Sequence, residues 1–268
     1  MESGKIFIHT NGTEVSTKTK ELLSQKLEQN GYSVIGSFSQ EAELIVCIGG
    51  DGAFLEAIHL FEFPHIPFIG INTGHLGFFQ EISPDQLDDF IFNYKMGKYR
   101  LQPLATVKAS ILLKDGSTVN YKSLNEIIIK ATDSRCIHLN ISIDSGFIER
   151  FSGDGLLIAT PAGSTAYNYA LGGSIVDPRI KLLQVTPMAP MNTTAYRSFT
   201  SSLLLPSDLS LEIKPEEPET SRLVIACDGL EYGLSKVENI SIGFSGTVVN
   251  LLRFESYDFW SKVKSKFL

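Results

Sequence analysis

The chain has little cysteine: three residues in 268, at positions 47, 136 and 227. No two stand at metal-ligand spacing, and a sparse, odd count excludes a disulfide framework and suits a reducing compartment. Cys47 and Cys227 lie in apolar runs, and all three are expected to be buried thiols. The five histidines, His9, His59, His65, His75 and His138, show no ligand spacing either, so no metal fixed by protein side chains is expected. Positive charge is short as well, since 23 Lys and Arg against 30 Asp and Glu leave a net charge of −7. Nucleic acid and anionic membranes both require clustered cations, so neither is an expected partner. A small anionic ligand is still allowed, because local loop geometry can outweigh global charge. Long apolar runs are missing: none approaches the ~20 residues that span a bilayer. The opening MESGKIFIHTNG has no basic segment followed by a long apolar one, as a secretory signal would. A cytoplasmic protein is the expectation. Two familiar phosphate loops, G-x-x-x-x-G-K-[ST] and G-x-G-x-x-G, are also absent, which excludes an ordinary P-loop enzyme and an ordinary dehydrogenase.

What is present reads as two domains, with 43% hydrophobic residues to build substantial cores. Residues 1–100 alternate between strand and helix patterns. KIFIH, YSVIGSF, ELIVCIGG and IPFIGIN are predicted strands; helices are predicted from Ser16 to Gly31, from Ala53 to Phe61, and near SPDQLDDFIFNYKMG. Alternation of this kind predicts a doubly wound α/β domain. From residue 101 the period changes to two, with a hairpin signal at Asp115-Gly116 and short strands such as HLNISI, GLLIAT and RLVIAC. That part, 101–251, is predicted to be β-rich and sandwich-like.

Three small-residue clusters carry the chemistry. Gly49, Gly50, Asp51 and Gly52 follow the strongest apolar strand, where an open α/β sheet binds ligands and a helix N-terminus attracts phosphate. An aspartate there repels phosphate unless it binds a metal or accepts a proton from an attacking hydroxyl; alternatively Asp51 caps its helix. On the tetrapeptide alone both readings stand. FSGDGLLIATPAGSTAYNYALGG, residues 151–173, offers Asp154, Ser164, Thr165, the backbone at Ala166, and Tyr167. Asn125 and Glu126, directly before an apolar strand, suit sugar hydroxyls.

Taken together, GGDG at 49–52, INTGHLGFF at 71–79, NE at 125–126 and GDGLLIATPAGSTAYN at 153–168 resemble the signature blocks of the NAD kinase family. QVTPMAP at 184–190 and SFTSSLLLP before the end of the run at Pro206 extend the resemblance through nearly the whole chain. The resemblance implies transfer of phosphate from ATP, or a similar donor with a divalent metal such as Mg²⁺, to the 2′-hydroxyl of the adenosine ribose of NAD, giving NADP. It implies an α/β domain that the chain end, 252–268, rejoins, a β-rich NAD-binding domain, and a homo-dimer or homo-tetramer.

By the same resemblance Asp51 accepts the hydroxyl proton, and Gly49, Gly50 and Gly52 cradle the donor's phosphates. Asn125 and Glu126 bind ribose hydroxyls, and Asp154 meets the nicotinamide carboxamide. Ala162, Ser164, Thr165, Ala166, Tyr167, Asn168, Tyr169, Ala170 and Ala189 line the base pockets, with Asn72, Phe79, Ser152, Tyr196 and Asp228 flanking. Ala162 departs from the family's usual Thr or Ser, Ser152 from a frequent Arg, and Gly229 from a larger residue; these bear on cofactor affinity and on NAD against NADH. Two rivals remain at this level. A diacylglycerol-type lipid kinase shares GGDG but lacks the block at 153–168, and a dinucleotide sensor has no need of Asp51.

Overall fold

The apolar run LIVCIG forms a strand, Leu44–Gly49, with all six residues buried, as a strand covered on both faces must be. It sits inside the first of two units into which the computed structural model divides: Met1–Leu104 with Val248–Leu268, and Ala105–Thr247. The structure describes residues 4–75, 77–133, 135–194 and 197–267. The first unit opens as β1 (Lys5–Thr10), α1 (Glu14–Gln29), β2 (Ser33–Ile35), β3 (Leu44–Gly49), α2 (Asp51–Leu60), β4 (Phe68–Asn72), β5 (Gln80–Ile82) and α3 (Leu87–Lys95). Its strands run parallel in the order β2-β1-β3-β4, with β5 on β4. The order reverses between β1 and β3, and a doubly wound sheet binds ligands beyond the carboxyl ends of strands at such a reversal. The bend 49–52 leaves β3 at that point.

Two helices start earlier than the sequence suggested. Thr13, in extended conformation, caps α1 by accepting from the Ser16 N–H (3.4 Å), so the helix begins at Glu14 rather than Ser16. Gly50 holds the cap position of α2, which places Asp51 inside the first turn. Leu23 and Leu27 of α1 and Phe90 and Ile91 of α3 pack with Ile8, Val46 and Ile69 of the sheet into one core.

The second unit follows with β6 (Arg100–Leu113), β7 (Thr118–Ser123), β8 (Glu126–Ala131), β9 (Ile137–Ile143), β10 (Gly146–Gly153), β11 (Gly155–Ala159), a 3₁₀ turn at Ala162–Thr165, and the single helical turn α4 (Tyr167–Ala170). Next come β12 (Leu182–Met188), β13 (Leu203–Pro206), β14 (Leu211–Pro215), β15 (Arg222–Cys227), β16 (Leu230–Ser235) and β17 (Val237–Arg253). One sheet runs β10-β9-β14-β17 with the β6–β7 hairpin beside β17; the other runs β13-β12-β11-β8-β15-β16. Leu139, Phe151, Ile213 and Ile240 of the first sheet share a core with Ile127, Ile158, Val185 and Ile225 of the second, which makes the unit a β-sandwich.

The end of β17 returns to the first unit, where Leu251 pairs in parallel with Phe68, and α5 (Phe259–Phe267) completes that unit. In α5, Trp260 is 50% exposed, whereas Phe259 and Val263 are buried. Residues 259, 262, 263 and 266 share a helical face, so Lys262 turns inward and Trp260 outward. The expectation that all three cysteines are buried is corrected by Cys136, which is exposed just ahead of β9, while Cys47 and Cys227 are buried; all three are free thiols. Burial pushes the Cys227 thiol up to about 12, and Cys47 upward as well, which leaves both unreactive. Among the described residues, no helix is long and apolar enough to cross a membrane.

Candidate active site

Asp51 does not cap its helix. Its Oδ2 accepts from the Phe78 N–H and its Oδ1 from the Phe79 N–H, both at 3.0 Å. The aspartate thus anchors the turn that follows β4, and the INTGHLGFF block gains a physical meaning. A Cβ on Gly77 would lie 2.3 Å from Asp51 Oδ1, so only glycine lets the carboxylate reach those amides. The side chain stays partly open, with the ammonium of Lys266 4.0 Å from Oδ2. Sitting in the first turn of α2, it also interacts favourably with the helix dipole.

The glycines of the bend divide by role. A Cβ on Gly49 would come 2.7 Å from Ala53 Cβ, so close packing against α2 requires that glycine. Gly50 and Gly52 have nothing within 4 Å of such an atom and show no left-handed backbone. The first unit makes no use of their missing side chains. Open backbone at a helix N-terminus suits the close approach of an anionic group. Asn72 closes the turn after β4, its Oδ1 accepting from the Gly74 N–H (3.0 Å).

The second unit repeats the device. Asp228, with a left-handed φ of 49°, accepts from the N–H groups of Leu124 (2.7 Å), Asn125 (2.7 Å) and Glu126 (3.2 Å). Thr160 supports the same corner, donating its N–H to Asn125 O (2.8 Å) and its hydroxyl to Leu124 O (2.6 Å). So gripped, Asn125 and Glu126 are buried, yet Asn125 Oδ1 and Glu126 Oε2 have no hydrogen-bond partner among the described residues. Buried polar atoms are normally paired, and an orphaned pair on neighbouring residues calls for an external partner. Burial, with the like charge of Asp228 second, pushes Glu126 up to about 8. The upward shift favours the neutral carboxyl, which can both donate and accept.

Among the remaining sequence-predicted residues, Asp154, Tyr167, Tyr169, Ala170 and Ala189 are exposed, and Ala162 and Ala166 are partly so. Thr165 is buried in the 3₁₀ turn. Four expected contact residues prove to be internal. Ser152 is buried, its hydroxyl 2.8 Å from His138 Nδ1 and its backbone bonded to Ser198. Ser164 donates to Pro161 O (2.7 Å) and accepts from the Val176 N–H (3.0 Å). Asn168 accepts from Thr186 Oγ1 (2.6 Å) inside the unit. The Phe79 ring stacks on Phe54 with centroids 4.7 Å apart, so only its backbone serves the site. The polar groups of Ser152, Ser164 and Asn168 are already engaged within the second unit. Tyr196 lies outside the described residues. Sequence reasoning missed the anchoring by Asp228 and Thr160, and also Arg253 and Lys262, whose side chains hold the carbonyls of the 77–80 turn.

Fold and site together define a protein of two units, a parallel α/β sheet with a Gly-Gly-Asp-Gly bend at the end of a central strand and a β-sandwich with a buried Asn-Glu pair. Residues 5–99 match the family model described as the ATP-NAD kinase N-terminal domain, and residues 124–253 match the ATP-NAD kinase C-terminal domain. The chain is 38% identical over 266 residues to the NAD kinase of Finegoldia magna, covering 98% of this chain and 97% of that one. It is 32% identical over 269 residues to the NAD kinase of Streptococcus gordonii, covering 98% and 95%. The chain belongs to the NAD kinase family. Its fold is shared with yeast NADH kinase, solved in complex with NADH (TM-score 0.84, 19% identity, 98% of this chain and 87% of that one). It is shared too with an Archaeoglobus fulgidus NAD kinase solved with ATP (TM-score 0.77, 23% identity, 97% and 99%). Matches to both halves of this family decide against the lipid-kinase reading.

Proposed function

We propose that the protein transfers the terminal phosphoryl group of ATP to the 2′-hydroxyl of the adenosine ribose of NAD, giving NADP. The observation that carries this reading is the pair of buried, unpartnered oxygens on Asn125 and Glu126. They suit the hydroxyls of a ribose, and among the described residues nothing pairs with them. In the first unit, Asp51 takes the role of proton acceptor. A carboxylate is a weak base, but phosphoryl transfer has a loose transition state in which positioning and charge neutralisation supply most of the effect. Asp51 orients the attacking oxygen and takes its proton late. Gly50 and Gly52 present backbone to the donor's phosphates. The divalent ion enters as part of the donor substrate, where it screens phosphate charge. Asp154, Thr165, Ala162, Ala166, Tyr167, Tyr169, Ala170 and Ala189 belong to the NAD-binding surface of the second unit in this reading. A cytoplasmic homo-dimer or homo-tetramer is part of the same proposal, and light scattering on the purified protein tests the assembly.

The direct test is NADP formation from NAD and Mg²⁺-ATP, with diacylglycerol as the control acceptor. Steady production of NADP and no lipid phosphorylation supports the reading; the reverse sinks it. Asn125→Ala is expected to weaken NAD binding by about 1–3 kcal/mol, the usual worth of a hydrogen bond whose loss strands a buried partner. Titration calorimetry reads this directly.

Glu126 gives a pH signature. Its folded-state value is raised from 4.5 to about 8, so its contribution to stability is complete below pH 4.5 and is lost as pH rises through 8. Above pH 8 it also loses the proton it donates and sets a second charge beside Asp228. The dissociation constant for NAD is therefore expected to rise above pH 8 in wild type, and this limb is expected to vanish in Glu126→Gln.

A further inference from the structure

The turn at 77–80 is held by charge from both sides. Its amides at Phe78 and Phe79 go to Asp51. Each of its four carbonyls receives a cationic donor. Lys262 Nζ donates to Gly77 O (3.1 Å) and, in a close contact, to Gln80 O. Arg253 donates from Nη2 to Phe78 O (3.0 Å) and from Nη1 to Phe79 O (3.3 Å). The guanidinium is itself fixed in place. Its Nε donates to Gln102 Oε1 (2.9 Å), Nη1 lies 3.4 Å from Glu81 Oε2, and the group stacks 3.7 Å from the Tyr257 ring. Glu81 Oε1 in turn accepts from the Phe254 N–H (2.8 Å). The Phe78 ring is wedged against Phe259 and Phe267 of α5, each with centroids 5.8 Å away.

A buried guanidinium with a half-buried ammonium beside it is a costly way to tie down one turn. Burial pulls both downward, and Arg253 adds to the fall of Lys262 to about 8. A turn needing only to be closed could use neutral donors. A turn whose amides must hold a carboxylate at a fixed angle gains from donors that grip the carbonyls of the same peptide groups, because a polarised amide binds its acceptor more strongly.

We propose that Arg253 and Lys262 are positioning residues for phosphoryl transfer: through the 77–80 turn they set the orientation of the Asp51 carboxylate. This rests on the reading of Asp51 as the proton acceptor. The chain's last strand and helix thus serve the site through the 77–80 turn.

The test is a double-mutant cycle on turnover, with Lys262→Met and Asp51→Asn made singly and together. Lys262→Met is expected to lower kcat about 10- to 100-fold, the effect of an ångström-scale misplacement, and to leave KM for NAD within about twofold. In the Asp51→Asn background the same change is expected to cost less than about twofold, since the group it orients is gone. Arg253→Lys, which keeps a charge but loses the fork, is expected to show the same collapse. Losses that multiply, or a Lys262→Met enzyme with unchanged kcat, overturn the inference. An Asp51→Asn enzyme of near-normal turnover overturns instead the reading on which it rests, so the two failures are distinct.

Discussion

Asp51→Asn is expected to lower turnover by roughly 10²–10⁴-fold, the range for a lost general base, while NAD affinity stays within a few fold. The affinity is expected to hold because Asn125 and Glu126, the pair proposed to bind the ribose, are gripped by Asp228 and Thr160 within the second unit. Stability is expected to fall as well. The carboxylate accepts on both oxygens, from Phe78 and Phe79, whereas an amide accepts on one side only and turns its NH₂ against the other N–H. Such a mismatch costs about 1–3 kcal/mol, or a melting point lower by roughly 2–4 °C per kcal/mol for a chain of this size. Calorimetry and kinetics on the same preparation separate the two effects. A variant that melts early but turns over normally would reduce Asp51 to an anchor of its loop.

Gly163→Ala is expected to be the most disruptive single methyl group in the second unit. Its Cβ would come 2.1 Å from Asn125 O, 2.5 Å from Asn125 C and 2.7 Å from Asn125 Cα. All three are backbone atoms, and they cannot swing aside. The turn cannot retreat freely either, because Thr160 ties Asn125 O from one side and accepts from the Gly163 N–H (3.2 Å) on the other. Overpacking of this kind costs about 1–3 kcal/mol and occasionally more, so the melting point is expected to drop by on the order of 5 °C. NAD affinity is expected to fall with it, since Asn125 must move. Gly243→Ala supplies the control: nothing lies within 4 Å of its added atom, and its stability is expected to stay within about 0.5 kcal/mol of wild type. Wild-type melting and affinity in Gly163→Ala would show that the close approach of the turn to Asn125 is not needed.

These two positions also show where the sequence was readable. The buried strand Leu44–Gly49 and the change to period-two patterning near residue 101 follow from side-chain hydrophobicity alone, and both were legible. That Gly163 and Gly77 are glycine was visible; why was not. A turn glycine and a glycine pressed against distant backbone look alike in one dimension, and Asn125 lies 38 positions from Gly163. Anchoring by Asp51 and Asp228 escaped for a related reason. Each carboxylate binds backbone N–H groups, which carry no residue identity and sit 27 and about 100 positions away. Side-chain polarity alone puts Lys262 on the solvent side of α5 and Trp260 on the buried side. The helix instead turns a lysine inward, where four carbonyls need cations, and leaves its largest ring half outside.

The most direct test is a crystal structure of the protein soaked with NAD. Catalysis by Asp51 requires the 2′-hydroxyl oxygen of the adenosine ribose within about 2.6–3.2 Å of one of its carboxylate oxygens, or one water away. A bound NAD whose adenosine ribose lies well beyond that reach, with its hydroxyls turned from the 49–52 bend, would contradict the account.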